Sequence, residues 1–374
     1  MNINAQSIRG KVSEFAVLLN YTKPDIVCCT ESWLDGKKPG SNPTLSAIKD
    51  SEVFPENYKA YRNDRDLSGG GVFILVQKDL IALEQPTLVT KCEINWVKIH
   101  IKGSRELFIG SFYMPHRNES DLQQLDLSLK ALNDNKPKHI VLCGDFNCPD
   151  IDWDTHSLKP NPTQGSIQQQ LIDIAVNHNL TQMNFEPTRE SNCLDLYFTS
   201  NSSLVKSTTT IHGLSDHSIV ITDSYIKPQY QVFKRRTVLQ FSKANWTKLK
   251  TRCQEISQDI EQQYNANTDT KTMWNNFKNA LMASILECIP SKTITKRNDL
   301  PWINRKLKSM IRRKTRLHQK ATKNKDWGKY TSFQKECKKA FSKAESDYIN
   351  NCIEKGLSEN NTKPFWSKGK NRTQ

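Results

Sequence analysis

Apolar residues in the first part of the chain fall in short dense runs separated by amphipathic stretches. Lys11–Tyr21 sets Val12, Phe15, Ala16 and Leu19 at helical spacing, and Pro24 stops that helix ahead of Asp25–Thr30 (DIVCCT), which reads as a buried strand. Gly71–Gln77 (GVFILVQ) follows a triple glycine and predicts another strand. Trp96–Ile101 and Glu106–Tyr113 alternate like hairpin partners, with Lys102–Arg105 as the turn between them. Leu122–Leu132 and Gln168–Asn177 have helical spacing, whereas His139–Cys143, Asp195–Thr199 and Ser218–Thr222 read as strands. Strands mixed with helices in this way predict an α/β fold, two sheets packed face to face with helices outside.

Beyond Pro228 the texture changes to long polar helices with thin apolar stripes, expected over Trp246–Tyr264, Thr272–Cys288, Trp302–Lys323 and Lys325–Gly356. Charge changes at the same place. Residues 1–226 carry 21 Lys and Arg against 27 Asp and Glu, and the remaining 148 residues carry 33 against 12. An acidic front and a basic tail predict two modules with different partners, 1–226 and a basic, mostly helical extension over 227–374. Ten scattered cysteines show no zinc-type spacing, and no run approaches the roughly 20 apolar residues of a membrane span. With no signal-peptide pattern at the start, a reducing intracellular location is expected, with the nucleus as the compartment and no membrane partner.

Metal-friendly oxygens and proton-transfer groups collect at the ends of the predicted strands: Asn4, Glu31, Tyr113, the run Gly144–Asn147, and Asp195 with Ser215–His217. Phosphodiester hydrolysis needs a hard cation against the charge of the transition state, a held water with a base, and donors to the non-bridging oxygens. Magnesium takes only one or two carboxylates and keeps waters, so Glu31 helped by Asn4 suffices for it. Each patch alone has a bland reading: GDFN as a capped turn, Tyr113 as core, His217 as a solvated loop residue. Their joint order favours chemistry.

Asn4-Ala-Gln-Ser7, the TESWL run around Glu31, FYMP with Tyr113, GDFN at 144–147, LDLYFTS with Asp195 and SDH at 215–217 occur in an order that resembles the endonuclease/exonuclease/phosphatase family, over roughly residues 1–225. The resemblance implies a two-sheet α/β sandwich and a Mg²⁺ (or Mn²⁺) dependent phosphodiesterase. It implies that Glu31, Asn4 and Asp216 hold the metal or its waters. Asp145 would deprotonate the attacking water and Asn147 would fix that water or the phosphate. His217 would contact a non-bridging oxygen as imidazolium, with Asp195 raising its pKa, and Tyr113 would donate to the phosphate or leaving oxygen. Thr188 and Ser215 would be supporting donors to substrate. Gln6 stands where repair-type abasic endonucleases carry an acid, and the first strand is expected to be short, with Asn2 leaving the register of Asn4 open.

Tyr61-Arg-Asn-Asp-Arg65 before Gly69–Gly71, and GDFNCPDIDW from Gly144, resemble the Jockey-like branch of LINE-type retrotransposon endonucleases. The tail agrees with that reading. Residues 301–345 hold 15 Lys and Arg against 3 acids, interleaved with Trp302, Trp327, Tyr330 and Phe333. PWIN at 301–304, Arg312, Arg313, Lys314 and Arg316, and Lys363–Trp366 resemble the linker ahead of a reverse transcriptase, although no polymerase motif is present. The expected partner is DNA, with RNA a further candidate for the basic tail. The alternatives are an abasic-site repair endonuclease and a non-catalytic nucleic-acid-binding fragment; the sequence says nothing of oligomeric state.

Overall fold

The computed structural model describes residues 1–65, 69–103, 106–132, 138–231, 236–263, 269–294, 300–363 and 365; parts of the expected turn at 102–105 and of the run at 363–366 lie outside the described residues. By its contacts the chain divides into one unit of Met1–Gln231 with Asn298–Gln374 and a second of Val232–Arg297.

Strands are numbered along the chain. The first sheet contains β1 (Asn2–Asn4), β2 (Ile26–Thr30), β3 (Tyr58–Asn63), β4 (Val72–Gln77), β13 (Val205–Ile211) and β14 (Ile219–Ser224), in the order β13-β14-β1-β2-β4-β3. The second contains β5 (Ala82–Glu84), β6 (Glu93–Ile99), β7 (Glu106–Tyr113), β8 (Lys138–Asp145), β11 (Thr181–Gln182) and β12 (Asp195–Thr199), in the order β11-β12-β8-β7-β6-β5. A short ribbon of β9 (Ile151–Asp152) and β10 (Ser157–Leu158) follows β8. Each six-stranded sheet is antiparallel except for one parallel pair, β1 with β2 and β7 with β8. The five long helices α1 (Val12–Thr22), α3 (Glu119–Leu132), α4 (Gly165–Asn177), α7 (Arg305–Asn324) and α8 (Gly328–Ser358) and the single turn α2 (Asp50–Val53) belong to the same unit.

The dense apolar runs arise because most of these strands are covered on both faces, so neither parity along the strand is free to be polar. In β4, Phe73 and Leu75 pack with Phe15 and Leu19 of α1, while Ile74 and Val76 face the other sheet. In β8, Ile140 and Leu142 pack with Leu122, Leu125 and Leu171 beneath α3 and α4; Val141 and Cys143 join the layer between the sheets. That layer also holds Cys28, Tyr61, Val97, Ile99, Leu107, Ile109 and Tyr197, contributed by both sheets. The architecture is the two-sheet α/β sandwich expected, with a helical extension at the C-terminal end.

The triple glycine serves this frame. Ser32 and Trp33 donate their backbone N–H groups to the carbonyls of Gly71 and Gly70 at 3.1 and 2.9 Å, and Gly71 N donates to Glu93 Oε2 at 2.5 Å. Arg62 is buried and bonded to Asp64 and Asp50, and Asp64 Oδ2 accepts from Lys37 N. The YRNDR run therefore clamps the loop that follows β2.

Helices α7 and α8 lie on the outer face of α1. Val17 of α1 is buried with Leu307, Met310, Phe333, Cys337 and Phe341. Lys314 is buried and donates to Glu14 Oε1 at 2.5 Å, Ser13 Oγ donates to Glu345, and Leu300 N donates to Asn20 Oδ1 at 2.9 Å. The second unit is a helical hairpin, α5 (Trp246–Gln263) and α6 (Thr270–Cys288), closed by β15 (Arg236–Leu239) paired antiparallel with β16 (Ser291–Ile294); Asp269 caps α6 by accepting from Thr272 N. No described helix is long and apolar enough to cross a membrane.

Replacing Lys314 by Met leaves Glu14 buried without its partner, a change that costs about 3–5 kcal/mol when one member of a buried pair is removed. Urea unfolding should show that loss, and Lys314→Met with Glu14→Leu should recover most of it. A variant as stable as the parent would show that the ion pair does not hold the helix down.

Candidate active site

The register of the second sheet places Tyr113, Asp145 and Asp195 in one row, because Asp145 is paired with Tyr113 across β7 and β8 and with Asp195 across β8 and β12. Paired residues leave a sheet on the same face. Counting in twos from Cys143, Ile109 and Tyr197, which face the other sheet, puts all three on the inter-sheet side at the strand ends. Apolar packing thus gives way to polar chemistry where the strands stop.

The first sheet supplies the facing groups. In β1, Ile3 packs toward α1, so Asn2 and Asn4 point between the sheets. Asn4 is buried, and its Nδ2 donates to Glu31 Oε1 at 2.8 Å and to Asp145 Oδ2 at 2.9 Å. Of the two asparagines, it is Asn4 whose side chain reaches Glu31 and Asp145. Glu31, one residue past β2, has a left-handed backbone with φ of 51°, an unfavourable conformation for a non-glycine residue that the clamp on Ser32 and Trp33 holds in place.

His217 Nδ1 lies 2.7 Å from Asp195 Oδ2, both buried. Burial alone would lower the pKa of the imidazole, but the hydrogen bond and charge of Asp195, with Asp145 adding to them, raise it to about 9. Asp145 is pushed up to about 8, first by burial and then by the charge of Asp195, against the bonds it accepts from Asn4 Nδ2 and Asn147 N. Tyr113 is raised by burial and by Glu31, so its phenol keeps its proton.

The loop carrying Ser215, Asp216 and His217 is pinned at short range. Ser215 Oγ donates to Asn4 O at 2.7 Å and accepts from His217 N at 3.2 Å. Gly213 lies so close to His217 that a Cβ there would sit 1.9 Å from the His217 carbonyl oxygen. Likewise a Cβ on Gly144 would sit 1.8 Å from the Phe112 carbonyl oxygen, so the residue before Asp145 has to be glycine for β7 and β8 to meet. Thr188 Oγ1 accepts from the backbone N–H groups of Leu194 and Asp195 at 3.1 and 3.0 Å. The hydroxyls of Ser215 and Thr188 are therefore engaged in holding His217 and Asp195. Asn147 N bonds Asp145 Oδ1, and its side-chain Nδ2 donates to Met114 O at 2.7 Å.

Other expected residues stand apart from this cluster. Asp216 is exposed and paired with Arg189 at 2.8 Å. On α7, Arg312 and Arg316 are exposed, Arg313 lies 4.5 Å over the Phe333 ring, and Lys314 faces inward to Glu14, so its ammonium is turned away from solvent.

Asn2 was legible only as a competitor for the register. Its buried Nδ2 donates to Gly144 O at 3.2 Å and Leu196 O at 3.3 Å, stitching the first sheet to the second directly beneath the site. Asn184 was not foreseen at all; its Nδ2 holds the Asp195 carbonyl at 2.9 Å. Neither sits in a motif, and only the packing of the two sheets makes their partners neighbours.

Chemically, the cluster gathers three carboxylates, of Glu31, Asp145 and Asp195, against the cation of His217. Among the described residues, ligand atoms of Asp145, Asp195 and His217 lie within 4.8 Å of one another, and Asp195 Oδ1 is buried with no hydrogen-bond partner. Hard carboxylate oxygens gathered at one spot, one of them buried without a partner, suit a divalent cation such as Mg²⁺.

Residues 107–221 match the family model described as endonuclease-reverse transcriptase, 115 of the 374 residues. No curated protein matches the chain. Among solved structures it is similar to the endonuclease domain of TRAS1, a telomere-specific non-LTR retrotransposon (18% identity, 60% of this chain and 96% of that one, TM-score 0.45). It is similar also to a 3′-5′ exonuclease from Neisseria meningitidis (13%, 60% and 98%, TM-score 0.44) and an AP endonuclease from Archaeoglobus fulgidus (14%, 60% and 98%, TM-score 0.41).

Asn2→Ala should remove both stitches and leave two buried carbonyls without donors, at about 1–3 kcal/mol for each unsatisfied group. A urea midpoint within error of the parent would show that the sheets do not depend on this residue.

Proposed function

We propose that this chain is a Mg²⁺-dependent phosphodiesterase of the endonuclease/exonuclease/phosphatase type that nicks DNA, the endonuclease part of a LINE-type retroelement. One observation carries the reading. Asn4, Glu31, Tyr113, Asp145, Asp195 and His217, drawn from both sheets, converge: Asn4 bonds Glu31 and Asp145, Tyr113 bonds Glu31, and the bonded pair Asp195–His217 has ligand atoms within 4.8 Å of Asp145. The matched family model, which spans the Asp145, Asp195 and His217 patches, supports the same reading.

In this reading Glu31, with Asn4 orienting it, would hold the divalent cation, which would supply positive charge against the phosphate. Asp145 accepts the proton of the attacking water while Asn4 and Asn147 fix its two oxygens. His217, held at Nδ1 by Asp195, presents Nε2–H to a non-bridging oxygen as imidazolium. Tyr113, protonated beside Glu31, stands where it can donate to the phosphate or the leaving oxygen. Asp216, paired with Arg189, serves at the rim. The products are 3′-hydroxyl and 5′-phosphate ends. Nothing about Asp145 or His217 separates intact from abasic DNA, so a repair-type activity is the second reading; faster cleavage of an abasic duplex than of an intact one would favour it.

Purified chain should convert supercoiled plasmid to the nicked form with Mg²⁺, and a chelator should abolish this. Asp145→Ala should reduce the rate roughly 10²–10⁴-fold, the range for loss of a proton-transfer group, and His217→Ala roughly 10²–10³-fold, the range for loss of a donor to transition-state charge. Nicking that survives both substitutions would rule the assignment out.

The pH dependence has a definite sign. His217 acts while charged, so the rate should be full below its pKa and fall tenfold per unit as pH rises through about 9. Asp195→Asn removes the carboxylate that raises it, and the alkaline limb should move toward the ordinary histidine value of 6.5. Asp145 acts while ionised and sets the acid limb, which lies below its cation-free value of about 8 once positive charge is bound nearby. An alkaline limb unmoved by Asp195→Asn would exclude His217 as the group that titrates.

A further inference from the structure

The cleft that reaches His217 does not end at the catalytic cluster. Thr188, Asp216 and His217 line one part of it. Lys323, Lys325 and Trp327, from the end of α7 and the turn into α8, line another, within a single cavity of about 1210 Å³. Small-molecule sites fill roughly 300–1,000 Å³, so the cleft suits a longer ligand. Its far wall is aromatic and fixed in place. Trp327 lies edge-on to Tyr330 and His318, with ring centroids 5.8 and 5.5 Å away, and His212 packs behind them 4.4 Å from His318. Trp327 itself remains 43% exposed, and Lys323 and Lys325 are exposed on the same turn. Acid groups around the cleft have cationic or backbone partners at two positions: Asp216 pairs with Arg189, and Glu186 accepts from Thr210 N.

We propose that this wall binds an unpaired segment of the DNA strand flanking the scissile phosphate, with a base stacked on Trp327 and adjacent phosphates against Lys323 and Lys325. The proposal rests on the nuclease reading of His217. An exposed ring with lysines lining the same cleft matches single-stranded rather than duplex nucleic acid, because paired bases keep their faces inside the stack while an unpaired base offers its own. The rings behind Trp327 hold the platform in one orientation, so little freedom is lost on stacking. The wall thus recognises structure and strand rather than base identity.

Binding of the full chain, in chelator so that nothing is cleaved, tests this by fluorescence anisotropy with a labelled duplex bearing an unpaired tail and a blunt duplex of the same length. The tailed duplex should bind more tightly. Trp327→Ala, and separately Lys323→Gln with Lys325→Gln, should each weaken tailed-duplex binding about tenfold, the scale of one stacked base, while blunt-duplex binding changes far less. Trp327→Phe should keep most of the preference. The lysine variant leaves the rings untouched, so it decides the matter if Trp327→Ala disturbs the turn. Equal binding of both duplexes by the parent, or tail preference unchanged in both variants, overturns the proposal; so does faster nicking in the variants, which would make the wall a barrier. A tail preference that Trp327→Ala removes, in a parent chain that nicks no plasmid, supports the strand site while ending the nuclease reading.

Discussion

The structure depends on crowding of negative charge at the rim where two sheets meet. Glu31, Asp145 and Asp195 approach one another in a setting where two of them are fully buried, and such charges repel strongly once water is removed. The fold answers with oriented donors. Asn4 gives its amide nitrogen to two of the carboxylates at once, and His217 gives a ring N–H to the third. Even so, Asp145 stands at about 8 and Asp195 keeps an oxygen without a partner, so the cluster is poised for a positive ligand. No single element could build this. Asn4 and Glu31 come from the first sheet and its loop, Asp145 and Asp195 from the second, and the stacking of the sheets is what brings them within hydrogen-bond reach.

Much of the frame was legible because double-sided burial leaves a plain mark. Strands such as VFILV and HIVLC have no polar parity, and that is how a strand covered on both faces must read. The flat alternation of β13, with Lys206, Ser207 and three consecutive threonines, gave no such mark, and it sits at the sheet edge where one face is wet. β3 was hidden for a different reason. Its Arg62 and Asn63 look like loop residues until the partners appear, Asp64 and Asp50 for one and the Ile94 carbonyl for the other. The site was legible to the extent that its residues lie at the ends of readable strands, as Glu31, Asp145 and Asp195 do. Asn2 and Asn184 support those residues through bonds to backbone carbonyls from distant strands, and a carbonyl leaves no trace in a sequence.

The basic tail shows why a run of cations is a poor guide to what each one does. Arg312, Arg313, Lys314 and Arg316 occupy one helix and look equivalent, yet the helical repeat turns Lys314 toward α1 and leaves Arg312 and Arg316 in water. A lysine flanked by Met310 and Leu317 at helical spacing lies on the apolar stripe, and its burial there requires an anion such as Glu14. Glu14 in turn lies on the outer face of a helix whose inner face is already committed to Phe73 and Leu75. Complementary misfits on two helices, an acid on α1 and a base on α7, mark a docking surface that neither misfit reveals alone.

That docking has a geometric consequence for the cleft. With Lys314 and Met310 anchored against α1, the next turn of α7 sets His318 against His212, and the helix ends at Lys325, whose backbone is left-handed. His212 sits five residues before His217, so the same loop touches Tyr330 of α8 at one end and Asp195 of the catalytic row at the other. The glycine between them, Gly213, has no room for a side chain against the His217 carbonyl. The helical pair is thus joined to the imidazole by a short, tightly packed segment. The tail is in this way part of the wall of the candidate active site, and the charge boundary along the sequence does not coincide with the boundary of the structure that surrounds the chemistry.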